Sequence, residues 1–331
     1  MTTINSPHAA TPTEAAPLQN GIVCRSQSNL YDVALLQSES EQHWLCTLRG
    51  KLRREQQRLT NLLAVGDEVV FRDLGNDQGV IEAIIPRRSK LSRDNNQKKD
   101  TEQILAANID YSVIIMACHA PDYNPRRLDL HLSAAFAGGL APIIVLSKVD
   151  LPQAETAKQD IDRYRLLGYP VIATSTATGE GLEELAGILQ HKRSVFVGSS
   201  GVGKSSLLNA LDPGLNLRTN ELRERFSKGR HTTTAAELLR LANGAWVIDT
   251  PGVRTFSLWD REDQTVEQQY GEFEEYAGSC RYADCSHIHE PGCAVLTALH
   301  EGLIDEERYN AYAKLLLRQQ KRRKAGVKQY R

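Results

Sequence analysis

Along the first ninety residues, hydrophobic positions alternate with polar ones in five short runs. These are "GIVCRS" from Gly21, "LYDVALL" from Leu30, "HWLCTLRG" from His43, "GDEVVFRD" from Gly66 and "GVIEAII" from Gly79. A period of two puts alternate side chains on one face of an extended chain, and turn residues such as Gly75-Asn76-Asp77 separate the runs. The pattern predicts a small antiparallel β-barrel over residues 21–86, OB-like in size, although an SH3-like barrel has the same periodicity. From Tyr111 the period changes. Apolar strands at "YSVIIMAC", "APIIVLS", "YPVIATS" and "SVFVGSS" alternate with amphipathic helices through "RLDLHLSAAFAGG", "QAETAKQDIDRYRLLG" and "GLEELAGILQ". That order predicts an α/β domain with a parallel sheet. The stretch "AELLRLANGAWVIDTPG" then reads as a hairpin turning at Asn243-Gly244, which adds one antiparallel edge strand.

Length and composition change this picture in three ways. A chain of 331 residues exceeds what one core usually serves, so several domains are expected. No apolar run approaches bilayer length, and the opening "MTTINSPHAATPTEAAPLQN" has neither a basic start nor an apolar core, so residues 1–20 are expected as a disordered tail, with no membrane role. Six cysteines without an export signal point to reduced thiols and a cytoplasmic location. Charge is uneven: Lys314 to Arg331 carries eight basic residues and no acidic one, and "PRRSKLSRDNNQKK" from Pro86 is a second positive stretch. Residues 87–105 are expected as a basic linker. Together with Lys51, Arg53, Arg54 and Arg58, the two stretches suggest a polyanion such as RNA nearby.

Candidate chemistry begins at "GSSGVGKS". Gly198, Gly203, Lys204 and Ser205 satisfy G-x-x-x-x-G-K-[ST] between an expected strand and an expected helix, the context in which this pattern cradles phosphates. The loop residues Gly198, Ser199, Ser200, Gly201, Val202, Gly203, Lys204, Ser205 and Ser206 are candidate nucleotide contacts, with Lys204 on the β and γ phosphates and Ser205 on Mg²⁺. In "LSKVDL", Asp150 can accept both N1–H and the exocyclic amine of guanine, and the Lys148 stem can cover the ring; Ser147 and Val149 complete that loop. Ser175, Thr176 and Ala177 form a second base-facing loop. Asp249 and Gly252 of "DTPG" suit Mg²⁺ and the γ-phosphate, and "KGRHTTT" offers Thr232, Thr233 or Thr234 as the switch ligand to Mg²⁺, with Thr233 the choice made here. Read from Gly198 to Gly252 and then from Ser147 to Ala177, the elements fall in the usual GTPase order. The chain is therefore expected to be a circularly permuted GTPase over residues 106–253. Ras-like enzymes orient water with a Gln where this chain has Val253, which makes His231 the catalytic candidate.

A third constellation, "CRYADCSHIHEPGC", sets Cys280, Cys285, His287 and Cys293 at spacings suited to a closed, structural Zn²⁺ site, with His289 the competing ligand. It lies in the expected third domain, 254–331, which ends in the basic arm. Barrel, permuted GTPase and zinc cluster together resemble the small-ribosomal-subunit-dependent GTPases called RsgA, YjeQ or EngC, and "GRHTTT", "DTPGVR" and "CRYADCSHIHEPGC" are the most specific stretches. The resemblance covers nearly everything after residue 20. It implies an OB domain, a permuted GTPase core and a helical zinc domain. It also implies GTP hydrolysis to GDP activated by the small (30S) subunit, late in its maturation, by a monomer bound to rRNA alongside assembly factors. A GTP-dependent RNA-binding checkpoint with negligible hydrolysis is the alternative, favoured by Val253; an ATPase or kinase is disfavoured by Asp150. One departure stands out. The family's guanine loop reads Asn-Lys-x-Asp, and Ser147 occupies the Asn position; the loss of an amide donor implies weaker binding, while Asp150 remains to choose the base.

Overall fold

The computed structural model describes residues 17–27, 29–36, 42–50, 52, 62–94, 102–215, 236–249, 266 and 270–327. The five alternating runs become β1 (Leu18–Gln27), β2 (Leu30–Leu35), β3 (His43–Leu48), β4 (Glu68–Gly75) and β5 (Gln78–Ile84). They pair in the order β1-β2-β3-β5-β4, and β4 returns to β1, so the sheet closes on itself. Only β3 and β5 among these run parallel. A meander of hairpins cannot make that pair; the Greek-key path of an OB-like barrel does. Val23, Val33, Trp44, Cys46, Val69, Phe71 and Ile81 fill the interior, with the Trp44 and Phe71 rings 5.3 Å apart. Strand β1 begins inside the stretch expected as a tail, because Leu18 already pairs with Arg72. The rest of that tail lies outside the described residues.

The stretch 87–105 differs from the expected linker. Strands β6 (Lys90–Asp94) and β7 (Glu102–Ala107) pair antiparallel, and Leu91, Ile104 and Ala106 are buried. Their apolar positions were obscured by the surrounding charge. Arg87 grips Asp67 with two bonds of 2.6 Å, and Arg88 reaches Asp110 at 2.6 Å. Arg87 is largely buried against its carboxylate, and Arg88 is paired while half exposed. Asp67 is wholly buried and also accepts from the Ala64 amide, so the Arg87 pair meets the hydrogen-bonding demand that a buried carboxylate imposes. Burial pushes the Asp110 carboxyl up, but bonds from the Arg193 amide and Arg88 outweigh it and hold the group below the ordinary range.

The α/β domain runs β8 (Tyr111–Ala117), α1 (Pro125–Ala137), β9 (Ala141–Ser147), α2 (Ala154–Leu166), β10 (Val171–Thr174), α3 (Leu182–Leu189), β11 (Arg193–Val197), α4 (Lys204–Leu211), β12 (Glu237–Arg240) and β13 (Trp246–Asp249). Spatial order is β10-β9-β8-β11-β13-β12, parallel except for β12. Val113, Ile114 and Ile115 of β8 are all fully buried, as expected for a strand covered by helices on both faces. Strand β12 was expected at the edge. Barrel strand β1 instead pairs with it, Arg25 opposite Glu237, so barrel and α/β sheet are continuous. The Arg25–Glu237 ion pair at that seam is half exposed and contributes little by itself.

Helices α5 (Glu274–Ala277), α6 (Ala294–His300) and α7 (Glu306–Val327) form the C-terminal unit around Tyr270, Phe273, Val295, Ala298, Ile304 and Tyr312. Its α7 lies against the α/β domain. Arg308, fully buried, reaches Asp129 of α1 and Glu272, each at 2.7 Å. Arg163 of α2 reaches Asp305 and Glu307 at the start of the same helix.

Helix α1 begins at Pro125 with Asn124 as its cap, accepting from the Arg127 amide at 3.2 Å, and buries Leu128, His131, Leu132 and Ala135. Burial first, then the charges of Lys204 and Arg127, push the His131 imidazole down to about 4. A histidine in the unfolded chain takes its proton near pH 6.5. As pH falls below that value the unfolded state binds a proton that the folded state refuses, so stability declines until about pH 4, by on the order of 3 kcal/mol. Urea titrations across this window should show that loss in the parent protein, and a shallower one in His131→Gln.

Candidate nucleotide site and metal centre

Strand β11 runs into the loop Gly198–Gly203 and then directly into α4, with Lys204 as the first helical residue. Glycine is required at both ends of this loop. A Cβ on Gly198 would stand 2.4 Å from the Ile115 carbonyl oxygen, and Gly203 caps α4 with φ +99°. The turn leaves successive amides and the α4 N-terminus facing one concavity, where partial positive charge gathers. Lys204 Nζ hangs over the same concavity, 2.6 Å from the Gly198 carbonyl oxygen and 2.9 Å from that of Ser199.

The segment expected to read the base lies at the end of β9, next to this loop in space though fifty residues earlier in the chain. Ser147 is buried, and its hydroxyl donates to the Val202 carbonyl of the phosphate loop at 2.7 Å. The short serine hydroxyl thus ties the two loops together. Lys148 takes φ +61°, a left-handed turn uncommon outside glycine, and its ammonium bonds the carbonyl of Ala120 and, at 3.3 Å, that of His119. Asp150 is exposed. Its Oδ1 accepts from the buried Ser175 hydroxyl at 2.6 Å, and the Ser175 oxygen in turn accepts from the Ala177 and Thr178 amides, 3.2 Å each. The second loop thus orients the carboxylate of the first, while Thr176 and Ala177 stay exposed beside it.

Strand β13 runs parallel to β11 with Asp249 opposite Phe196, which brings the start of "DTPG" to the edge where the phosphate loop begins. The Asp249 side chain, His231, Thr232, Thr233, Thr234, Gly252 and Val253 lie outside the described residues. Sequence reasoning missed two neighbours of the site. Arg127 of α1 donates to Ser199 Oγ at 3.1 Å, and His131 sits buried behind the loop, where it feels Lys204. No spacing rule connects residues 127 and 199; only the parallel pairing of β8 with β11 brings them together.

The second centre is the C-terminal cluster. The ligand atoms of Cys280, Cys285, His287 and Cys293 all lie within 4.8 Å of one another. Two thiolates on a tetrahedral zinc stand about 3.8 Å apart, and a thiolate and an imidazole nitrogen about 3.6 Å. Here Cys280 Sγ and Cys293 Sγ are 3.9 Å apart, and His287 Nδ1 lies 3.5 and 3.4 Å from them. The cluster fits zinc, and four protein ligands leave a structural site. Burial raises the Cys285 thiol to about 12 and the Cys293 thiol as well, so a shared cation is what would keep these sulfurs as thiolates. His289 is exposed and outside the group, as expected. Glu290 fastens the loop by accepting from the Ser286 amide and hydroxyl and from the Ile288 and His289 amides. Burial opposes its charge, but these bonds win and hold the carboxyl far below the ordinary range. From α7, the Tyr309 hydroxyl donates to the His287 carbonyl and that of Tyr312 to the Ser286 carbonyl, 2.8 Å each.

Comparison with known proteins agrees with this architecture in chain order. The family described as RsgA N-terminal domain matches residues 20–81, and the family described as RsgA GTPase matches residues 84–259, more than half the chain. The small ribosomal subunit biogenesis GTPase RsgA of Gemmatimonas aurantiaca is 41% identical over 297 residues, covering 89% of this chain and 95% of that one. Its counterpart in Moorella thermoacetica is 40% identical over 273 residues, 82% and 89% of the two chains. Among solved structures, YjeQ from Thermotoga maritima superposes with a TM-score of 0.73 at 32% identity, over 92% of this chain and 99% of that one. YloQ, described as a circularly permuted GTPase, gives 0.68 at 27% identity, over 95% and 99%. With one family model spanning more than half the chain and relatives about 40% identical over most of its length, this protein belongs to the RsgA GTPase family.

Proposed function

We propose that the chain binds GTP through residues 198–206, selects guanine with Asp150, and hydrolyses GTP to GDP and phosphate in the biogenesis of the small ribosomal subunit. The observation that carries this reading is the Ser175–Asp150 bond beside a phosphate loop tied to Ser147. It fixes a carboxylate that can accept two N–H groups of guanine, whereas adenine has no such pair to offer. Ser205 with Asp249 and Thr233 would hold Mg²⁺, which would supply charge neutralisation at the β and γ phosphates. Lys204 adds a fixed cation and the loop amides add donors, so the chain contributes positioning and electrostatics. His231, in the segment before β12, orients the attacking water, since Val253 cannot. The role in subunit biogenesis rests on relatives that carry it in their names. The small subunit's rRNA is the partner that suits the barrel and the basic arm, with assembly factors on that particle as neighbours. We take the protein to act as a cytoplasmic monomer; no helix among the described residues is long and apolar enough to cross a membrane.

The decisive measurement is phosphate release from GTP with and without purified small subunits. Stimulation by small but not large subunits is expected; equal rates in all three conditions would sink the reading.

Four variants and one treatment separate the roles. Asp150→Asn offers an amide donor where guanine also donates, so GTP affinity should fall by about tenfold or more, while XTP, which presents an acceptor at position 2, should be preferred. Continued preference for GTP in competition binding would refute the assignment. Ser147→Ala leaves the buried Val202 carbonyl without this bond and should weaken GTP binding by roughly tenfold. His231→Ala should lower stimulated turnover on the order of a hundredfold, with GTP affinity changed only a few-fold. Chelation should remove one zinc per chain and lower the unfolding midpoint, and Cys285→Ser should reproduce that loss; metal analysis and calorimetry check both.

A further inference from the structure

The two centres described above are joined by one helix. Arg127 and Asp129 sit two residues apart near the start of α1, so their side chains leave it in nearly opposite directions. Arg127 donates to Ser199 in the phosphate loop at 3.1 Å. Asp129 accepts from Arg308 of α7 at 2.7 Å and from the Tyr164 hydroxyl of α2 at 3.0 Å. The turn after Arg308 carries Tyr309 and Tyr312, which hold the metal-binding loop through the His287 and Ser286 carbonyls. The loop leading into α1 also lies on the nucleotide site. Lys148 bonds the carbonyls of His119 and Ala120, and a Cβ on Gly201 would touch Pro121 at 3.5 Å.

The Arg308–Asp129 pair is poorly explained as glue. Both side chains are 2% exposed, and their desolvation offsets much of their attraction, so a well-packed apolar pair would hold α7 at least as firmly. What a buried pair of this kind does supply is register. Glu272 on Nε, Asp129 on Nη1 and the Tyr270 ring 4.5 Å from the guanidinium carbon allow α7 one seat. If the seat moves, α1 moves with it, because a short helix is stiff along its axis. Arg163 adds a parallel connection: it joins Asp305 and Glu307 of α7 to α2, the helix that follows the base-reading loop.

We propose that Arg308 and Asp129 are positioning residues for the GTPase reaction: through α1 they couple the seating of the zinc unit to the conformation of the phosphate loop. The coupling rests on the reading of residues 198–206 as the phosphate site. It is distinct from the covalent path through residues 250–265, since it crosses between domains through side chains. Linkage makes it reciprocal. A ligand that holds the zinc unit shifts the relative affinity for GTP and GDP, and the nucleotide shifts how firmly α7 is seated.

The test uses the full zinc-loaded chain. Hydrogen exchange of the α7 amides is measured in the free protein, with GDP, and with a non-hydrolysable GTP analogue. Protection of the first turns of α7 should differ severalfold between the two nucleotide states; identical protection overturns the proposal without recourse to any variant. Arg308→Lys and Asp129→Asn should each change the ratio of GTP-analogue to GDP affinity by roughly tenfold, within the span of known coupling energies. Arg127→Gln should shift it in the same direction, and Arg127→Gln combined with Arg308→Lys should shift it no further than the larger single change. A melting point that drops with an unchanged ratio would make Arg308 merely structural and overturn the proposal. Lys204→Ala tests the reading beneath it. If that variant binds nucleotide like the parent, the phosphate-loop assignment fails. If it loses binding while the Arg308 and Asp129 variants keep the parent ratio, the relay alone fails.

Discussion

Parallel strands paired in register end at the same edge of a sheet, whatever order the chain visits them in. Strands β9, β8, β11 and β13 are paired this way, and the loop holding Lys148 and Asp150, the loop into α1, the glycine-rich loop 198–203 and the start of "DTPG" leave that one edge together. Backbone hydrogen bonding, which is blind to sequence order, therefore assembles the nucleotide site. A chain cut and rejoined elsewhere keeps the ladder and so keeps the site. The other features attach to this sheet: the barrel at β12, the zinc unit at α1 and α2.

Permutation also changes what each domain is tied to. Strand β12 emerges from the segment bearing His231 and the threonines, and it pairs with β1 of the barrel. The chain after β13 leads to the metal-binding unit, whose α7 returns to α1 and α2. Each flanking domain thus meets the GTPase domain at an element that is next in the chain to one of the candidate nucleotide segments.

Charge is used in two unlike ways here. Arg87, Arg88, Arg193 and Arg308 are buried or half-buried and matched to Asp67, Asp110, Glu68 and Asp129. The buried members would leave an unpaired charge if their partners moved away. The basic residues at the C-terminal end have few acidic neighbours in sequence and suit an external polyanion. A count of positive residues along the chain mixes the two classes: within the basic stretch 87–105, Arg87 and Arg88 are matched to Asp67 and Asp110.

The sequence by itself determined the elements whose chemistry is local. The glycine-rich loop before Lys204, the Lys-x-Asp motif ending at Asp150, the cysteine and histidine spacing and the five barrel strands are each written within a dozen or so consecutive residues, because turn geometry, ligand spacing and strand period are short-range. Even the permutation was legible, since it needs only the order of such motifs. Only the tertiary structure decided what depends on residues far apart in the chain. That Ser147 still reaches Val202, that Ser175 orients Asp150, that β1 covers β12 and that Arg308 finds Asp129 across 179 positions are outcomes of packing. No periodicity encodes them. A side chain's partner across a domain joint is chosen by which faces the sheet and helices bury against each other, and that choice exists only once the chain has folded.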